Sequence, residues 1–371
     1  MDGPLPDVIG VADASDGGID SPDTGPEWIS AGEFEGTNPR LHSSRGGDLF
    51  LAWTTKRVGT NDRYVPRVAR LTSANAWDSN YGPATGSPLV ASPEVAVGSY
   101  EGGRPVLAWS QSNGGSPEQR FIHVAHWTGS QWAAELPPLR LNAAGVAYAP
   151  SMHVAEDGIV HIAWEEQLPG VGVPDFRVNE ASGRSQWTAP SLIDSGHGRR
   201  PWLARTEGAD FSAVSFYGSG GLNFVRTKRG STVMRSQGYQ SNTPMIALDG
   251  ERPVVTWVGA DGAIRVQELE ASGSWKDYVP SLITEGISPQ GPVLALEASG
   301  RPVIAWTESD STQRVLRIAR WTGSFWERSS VVDAVPGMGT DAGNPAVALS
   351  AGRILVAWEE GGKLFVRRWN R

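Results

Sequence analysis

Residues 292–326 read PVLAL-EASG-RPVIAW-TESDSTQR-VLRIARW-TGS-FW. Four apolar runs are separated by Gly, Ser and Asp punctuation, the pattern of four short strands A to D in one antiparallel sheet. Strand A opens at Pro292, where a missing N–H costs no ladder hydrogen bond. Strand B ends at Trp306, strand C ends at Trp321, and strand D starts at Trp326.

The same order recurs along the chain. Strand B returns as RPVLAW (104–109), IVHIAW (159–164), RPVVTW (252–257) and RILVAW (353–358), with DLFLAW (48–53) and DFSAVSF (210–216) as weaker copies. The markers Trp53, Trp109, Trp164, Phe216, Trp257, Trp306 and Trp358 stand 41 to 56 residues apart. Pro39, Pro93, Pro150, Pro201, Pro244, Pro292 and Pro345 open the strand A copies. Trp127, Trp321 and Trp369 close strand C, while Trp77, Trp132, Trp187, Trp275 and Trp326 open strand D. The last copy stops at Trp369-Asn370-Arg371 without a strand D, and Trp28 in EWISAGEF (27–34) supplies one. The predicted fold is all-β: a seven-bladed β-propeller of four-stranded antiparallel blades over 27–371, closed by the N-terminal strand completing the last blade. The near-continuous apolar B runs suit strands covered on both faces. A linear solenoid would use shorter repeats and would need no exchange of a terminal strand.

Composition agrees. Of 371 residues, 45 are Gly and 26 Pro, with 16 Trp and no Cys. Turn chemistry at that density favours many short strands, and the absence of Cys excludes disulfides, thiolate metal sites and cysteine nucleophiles. No apolar run reaches the ~18 residues of a membrane helix. Net charge is -8, and 1–27 holds seven acids and no base, so the rest is nearly neutral. No basic stripe marks a nucleic-acid partner. Residues 1–26 read as a disordered acidic Ser/Gly/Pro tail or linker, too poor in apolar groups to offset its ordering entropy. No apolar stretch follows Met1, so no intact signal peptide is expected.

The repeat resembles bacterial proteins with PxVAL…GxPVVAW…VxRWxGxxW units, found on secreted or lipid-anchored proteins. That resemblance covers 28–371 and implies a bacterial, secreted or cell-surface location, with a possible lipid anchor upstream of residue 1. The TGSxW turns at 128–132 and 322–326 stand where sialidase-like propellers carry an Asp-box, without its Asp. The Trp-rich pattern is also similar to propeller lectins, which hold sugars between blades.

No GxSxG, HExxH, Walker-type or EF-hand motif is present. The B–C and D–A loops share one face of such a fold. Three B–C loops are long, at 54–64, 110–120 and 165–175. Loops on a rigid scaffold commonly carry function. Acids cluster just after strand B: Glu165, Glu166, Glu308, Asp310, Glu359 and Glu360. They could ring that mouth, bind calcium, or act as acid and base on a glycoside. The histidines His123, His126, His153 and His161 could ligate zinc or serve as bases, or be independent structural positions. Arg67, His123, Arg177, Arg265 and Arg317 form a basic ladder on strand C, on the face of Trp127 and Trp321. Such pairs could grip a sugar or lock neighbouring blades. Trp202, beside Pro201, stands outside the Trp columns and could floor a central pocket.

The expected function is therefore non-catalytic binding of a glycan, through Trp127, Arg317, Trp321, Trp202, Glu308, Asp310 and Glu360, with no cofactor beyond possible calcium. A polysaccharide hydrolase or lyase using Glu165, Glu166, His123 or His161, and a scaffold for a surface protein, stand as alternatives.

Overall fold

The computed structural model describes residues 28–369 apart from inter-strand stretches, the longest being 57–62, 113–118, 170–174, 207–211, 238–243 and 329–340. The described residues form 29 strands and no helix. Strands β2 (Thr37–Ser43), β3 (Leu49–Lys56), β4 (Arg63–Leu71) and β5 (Trp77–Asp78) make one sheet in that order, with β6 (Leu89–Val90) also on β4. An eight-stranded sheet follows. One half holds β7 (Val95–Tyr100), β8 (Arg104–Ser112), β9 (Arg120–Trp127) and β10 (Trp132–Ala134). The other holds β11 (Val146–Val154), β12 (Val160–Leu168), β13 (Asp175–Gly183) and β14 (Ser191–Asp194). The halves join through a single parallel pair, Val146 with Arg120.

Three more four-stranded sheets keep sequence order. They are β15 (Arg199–Arg205), β16 (Ser212–Tyr217), β17 (Leu222–Thr227) and β18 (Gly230–Gln237); β19 (Met245–Asp249), β20 (Arg252–Val258), β21 (Ile264–Leu269) and β22 (Trp275–Asp277); and β23 (Ile287–Leu296), β24 (Pro302–Ser309), β25 (Arg314–Trp321) and β26 (Trp326–Arg328). The remaining sheet joins the first and last described strands. Strands β27 (Gly343–Ser350), β28 (Arg353–Glu360) and β29 (Lys363–Trp369) are followed by β1 (Trp28–Glu35), antiparallel to β29 with Trp28 opposite Trp369.

The first strand of each four-stranded group packs against the next: β2 on β7, β7 on β11, β11 on β15, β15 on β19, β19 on β23, β23 on β27 and β27 on β2. The second strands lie between these contacts and are covered on both faces. That is why PVIAWTE in β24 is buried throughout rather than alternating. Their tryptophans are the largest core groups, Trp164 and Trp358 having no exposed surface. Burying an indole removes roughly 200 Å² from water, worth about 5 kcal/mol each.

The outer tryptophans staple neighbouring groups. Indole N–H groups donate from Trp132 to the Tyr81 carbonyl (2.8 Å), from Trp187 to Pro137 (2.8 Å) and from Trp326 to Pro280 (3.1 Å). Each bond runs to the connection just before that group. Trp187 differs from its expected place at the start of an outer strand. It makes only an isolated bridge to Gly183, and β14 begins at Ser191, past Pro190, which has no N–H for a ladder.

Candidate functional site

The first strands carry a recurring backbone irregularity. Asn38, Ala149, Arg200, Gly291 and Asn344 all have φ between 45° and 55°, and each immediately precedes a proline that lies inside its strand rather than opening it, since β2, β11, β15, β23 and β27 begin two to five residues before that proline. Bulges interrupt pairing at the same places, between Thr37 and Arg40, Tyr148 and Ser151, Arg199 and Trp202, and Gly343 and Ala346. A bulge swings a backbone N–H out of the ladder, and here carboxylates of the preceding sheet receive it. Arg200 N donates to Glu165 Oε2 (2.8 Å), and Asn38 N donates to Glu359 Oε2 (2.9 Å). The other Glu359 oxygen accepts from Asn344 Nδ2 (2.8 Å).

All five of these left-handed residues line one central cavity of about 470 Å³. Left-handed non-glycine residues cost of order 1–3 kcal/mol each and concentrate at functional sites. The cavity wall also carries Trp202, Arg40, Glu94, Arg200 and Arg314. The Arg40 guanidinium lies over the Trp202 ring, 5.6 Å from its centroid. Desolvation lowers the Arg40 pKa; Glu94 and Glu359 oppose this, while the like charge of Arg200 reinforces it. Among the described residues Arg40, Arg200 and Arg314 make no ion pair, whereas Arg70, Arg177, Arg199, Arg252, Arg265, Arg317 and Arg320 all do.

A second cavity of about 400 Å³ adjoins the first and shares Glu94, Ala149 and Arg200 with it. Here Arg120 stacks on Tyr148 (5.2 Å) and Arg199 on Phe176 (4.0 Å). Glu165, 3% exposed, pairs with Arg199 Nε at 3.2 Å. Burial nevertheless raises the Glu165 pKa, outweighing Arg199 and the Arg200 N–H. A carboxyl raised on folding contributes stability that is full below its ordinary 4.5 and lost as pH rises through its folded value. Glu165→Gln removes that loss. Denaturant melts should therefore show the variant gaining on wild type as pH climbs from 4.5 toward neutral; parallel pH curves would refute this.

Glu166, Glu308 and Glu360, expected after strand B, are engaged by indole N–H groups rather than ringing an open mouth. Glu166, 1% exposed, accepts from Leu141 N (2.9 Å), Asn142 N (2.6 Å), Trp164 Nε1 (3.3 Å) and Asn179 Nδ2 (3.2 Å). Glu308, fully buried, accepts from Trp306 Nε1 (2.8 Å) and pairs with Arg317 Nε (2.9 Å). Glu360 accepts from Trp358 Nε1 (3.1 Å). Two residues apart on a strand means one face, so Trp-x-Glu is an indole–carboxylate clasp. Gln111 makes the same contact to Trp109. Asp310 lies outside the described residues.

The basic ladder is real in part. Arg67, His123, Arg265 and Arg317 stand opposite the tryptophans of β3, β8, β20 and β24. Arg177 is on the same face but two residues out of register: Asn179 faces Trp164, and Arg177 pairs in register with Glu166 and bonds Asp175 at 3.0 Å. Trp127 and Trp321 sit in matching aromatic clusters, Tyr81/Trp127/Trp132 and Tyr278/Trp321/Trp326, with centroids 5.2 to 6.2 Å apart. The histidines are spread. His123 stacks on Trp109 at 5.7 Å, with a pKa lowered by burial. His126 packs edge-on to Tyr100, and His153 faces His161 across β11 and β12. Among the described residues no group of three His, Asp or Glu side chains is arranged to hold a metal ion.

Of the candidate site residues named from sequence, the described lining of the central cavity gathers only Trp202, and that of the adjoining one only Glu165. Arg40, Glu94, Arg200 and Arg314 escaped notice. Arg40 and Glu94 follow Pro39 and Pro93 and Arg200 precedes Pro201, but nothing local in the sequence brings these side chains to one wall.

No family model matches the chain, and no curated protein matches its sequence. Solved structures do resemble it. The SapL1 lectin in complex with alpha methyl fucoside has a TM-score of 0.53 at 12% identity, over 82% of this chain and 98% of that one. A protein of unknown function from Dyadobacter fermentans scores 0.52 at 11% identity, over 93% and 99%. The lectin of Aleuria aurantia, described as a six-bladed β-propeller with a novel fucose recognition mode, scores 0.50 at 12% identity, over 82% and 99%. What this chain shares with them is the fold, and that fold is a β-propeller.

Proposed function

We propose that this chain is a seven-bladed propeller, closed by β1 on β29, that binds a glycan without catalysis in its central cavity. Support for seven blades comes from the cycle of seven first strands and from the six-bladed lectin's covering 82% of this chain. The observation that carries the binding reading is the central cavity itself. Its volume of about 470 Å³ is that of a small-ligand site. It combines one aromatic face, Trp202, with arginine donors and a ring of strained backbone. An indole face stacks on sugar C–H groups while polar donors fix hydroxyls. The resemblance of the repeat supports a role outside the bacterial cytoplasm, at the cell surface or secreted, whether or not a lipid anchor or a calcium ion takes part. No helix among the described residues is long and apolar enough to cross a membrane.

A glycan array probed with the full chain tests this. Saturable binding to a sugar class is expected, and Trp202→Ala should weaken it by about tenfold or more. A blank array, or binding untouched by Trp202→Ala, refutes the cavity reading. One observation favours a second reading, a polysaccharide-acting enzyme: Glu165 is a carboxyl with a raised pKa beside the cavity. New reducing ends in polysaccharide digests, abolished by Glu165→Gln, would replace the first reading with this one.

A further inference from the structure

Resting on the glycan reading, we infer that the sugar bound in the central cavity carries a carboxylate, held between Arg40 and Arg200. Among the described lining residues, three arginines, Arg40, Arg200 and Arg314, share the wall with one acid, Glu94. The acids just behind that wall are already committed. Glu165 pairs with Arg199 Nε at 3.2 Å and accepts the Arg200 backbone N–H at 2.8 Å. Glu359 accepts from Asn38 N at 2.9 Å and from Asn344 Nδ2 at 2.8 Å. Even with the Glu359 charge counted whole beside that of Glu94, the three arginines leave one positive charge over, in a chain of net charge -8. A concave wall of one sign focuses its field on a ligand of the other sign.

Arg40 and Arg200 are the pair that an anion would bridge. At Arg40, burial, with the like charge of Arg200 adding to it, outweighs the attraction of Glu94 and Glu359. Folding thus brings two cations together with too little countercharge, and a bound carboxylate supplies it. Arg40 lies over the Trp202 ring, 5.6 Å from its centroid, which fixes the plane of its guanidinium. One Arg40 N–H donates to the Pro39 carbonyl at 3.3 Å, and one from Arg314 to the Ser288 carbonyl at 3.1 Å. A neutral carbonyl takes one donor of a guanidinium and leaves its charge unmatched. The surplus of a single charge fits a monoanion rather than a doubly charged phosphate, and the planar guanidinium fork fits a carboxylate. The indole of Trp202 beside it takes the C–H groups of the same sugar.

The test is calorimetry of the full chain against glucuronate, galacturonate and N-acetylneuraminate, each beside its uncharged methyl ester, with glucose 6-sulfate and glucose 6-phosphate as other anions. At least one carboxylate sugar should bind about tenfold or more tighter than its ester. Added salt should weaken it. Arg200→Gln keeps the backbone N–H that Glu165 accepts, and should cost about tenfold on the acid and far less on the ester. Glu94→Gln removes the opposing charge and should tighten the acid by about threefold without helping the ester, a gain that damage to the fold does not produce. Circular dichroism and thermal melts establish that the variants fold; if Arg200→Gln does not, Glu94→Gln decides. Esters binding as tightly as acids would overturn the inference and leave glycan binding standing. So would the sulfate or the phosphate binding tighter than every carboxylate, or an affinity for the acid that either folded variant leaves unchanged. Binding of none of these sugars overturns the inference, and together with a blank glycan array it overturns both readings.

Discussion

Glu308→Ala should cost about 3–5 kcal/mol and lower the melting midpoint by on the order of 5 °C. The carboxylate is fully buried, and Arg317, whose side chain is 13% exposed, depends on it. Truncation strands a guanidinium and an indole N–H inside β24 and β25 without an acceptor. The penalty is therefore mostly that of an uncompensated buried charge, not the net worth of the pair. The double variant Glu308→Leu/Arg317→Met should recover much of the loss, since no charge is left unmatched. Denaturant unfolding of both proteins checks this. A Glu308→Ala loss below 1 kcal/mol would mean that water reaches the pair.

Gly36→Ala is the other severe change. Gly36 links β1 to β2 at φ 151°. A Cβ there would stand 2.4 Å from Trp53 Cδ1 and 2.5 Å from the Thr54 carbonyl oxygen. The backbone oxygen has nowhere to go, and Trp53 is 6% exposed and packed against Phe34 at 4.9 Å. About 2–4 kcal/mol is expected, from overpacking and backbone strain together. Gly352→Ala makes the comparison, because a Cβ there meets nothing within 4 Å and only its φ of 74° resists. Equal losses at the two positions would show that steric contact with Trp53 contributes nothing.

The sheet structure was legible because strand chemistry is local. PVIAW between turn residues reads as a strand wherever it lies, and Trp127, Trp321 and Trp369 do end the third strands. Counting residues failed where register mattered: Arg177 aligns with Arg317 by eye, yet Asn179 is the residue facing the tryptophan. The Trp-x-Glu clasps could have been read from period-two geometry alone, which would have placed Glu166, Glu308 and Glu360 against indoles rather than at a rim. The cavity was not legible in the same way. Asn38, Arg200 and Asn344 are far apart in sequence, and only the packing of separate sheets brings them to one wall. Nothing in NPR or RPW announces a left-handed residue, since a proline disfavours helical conformations just before it.

The pairing of β1 with β29 has a consequence for biosynthesis. On the ribosome β1 emerges first, and its partner emerges after more than three hundred further residues. Each intervening group can pair from strands made within about fifty residues of one another, so these can form during elongation. Strand β1 has no such local partner and must stay out of wrong ladders until β29 is made. A nascent chain stalled before Lys363 would carry two open strand edges, on β1 and β28, where the finished protein has a continuous sheet.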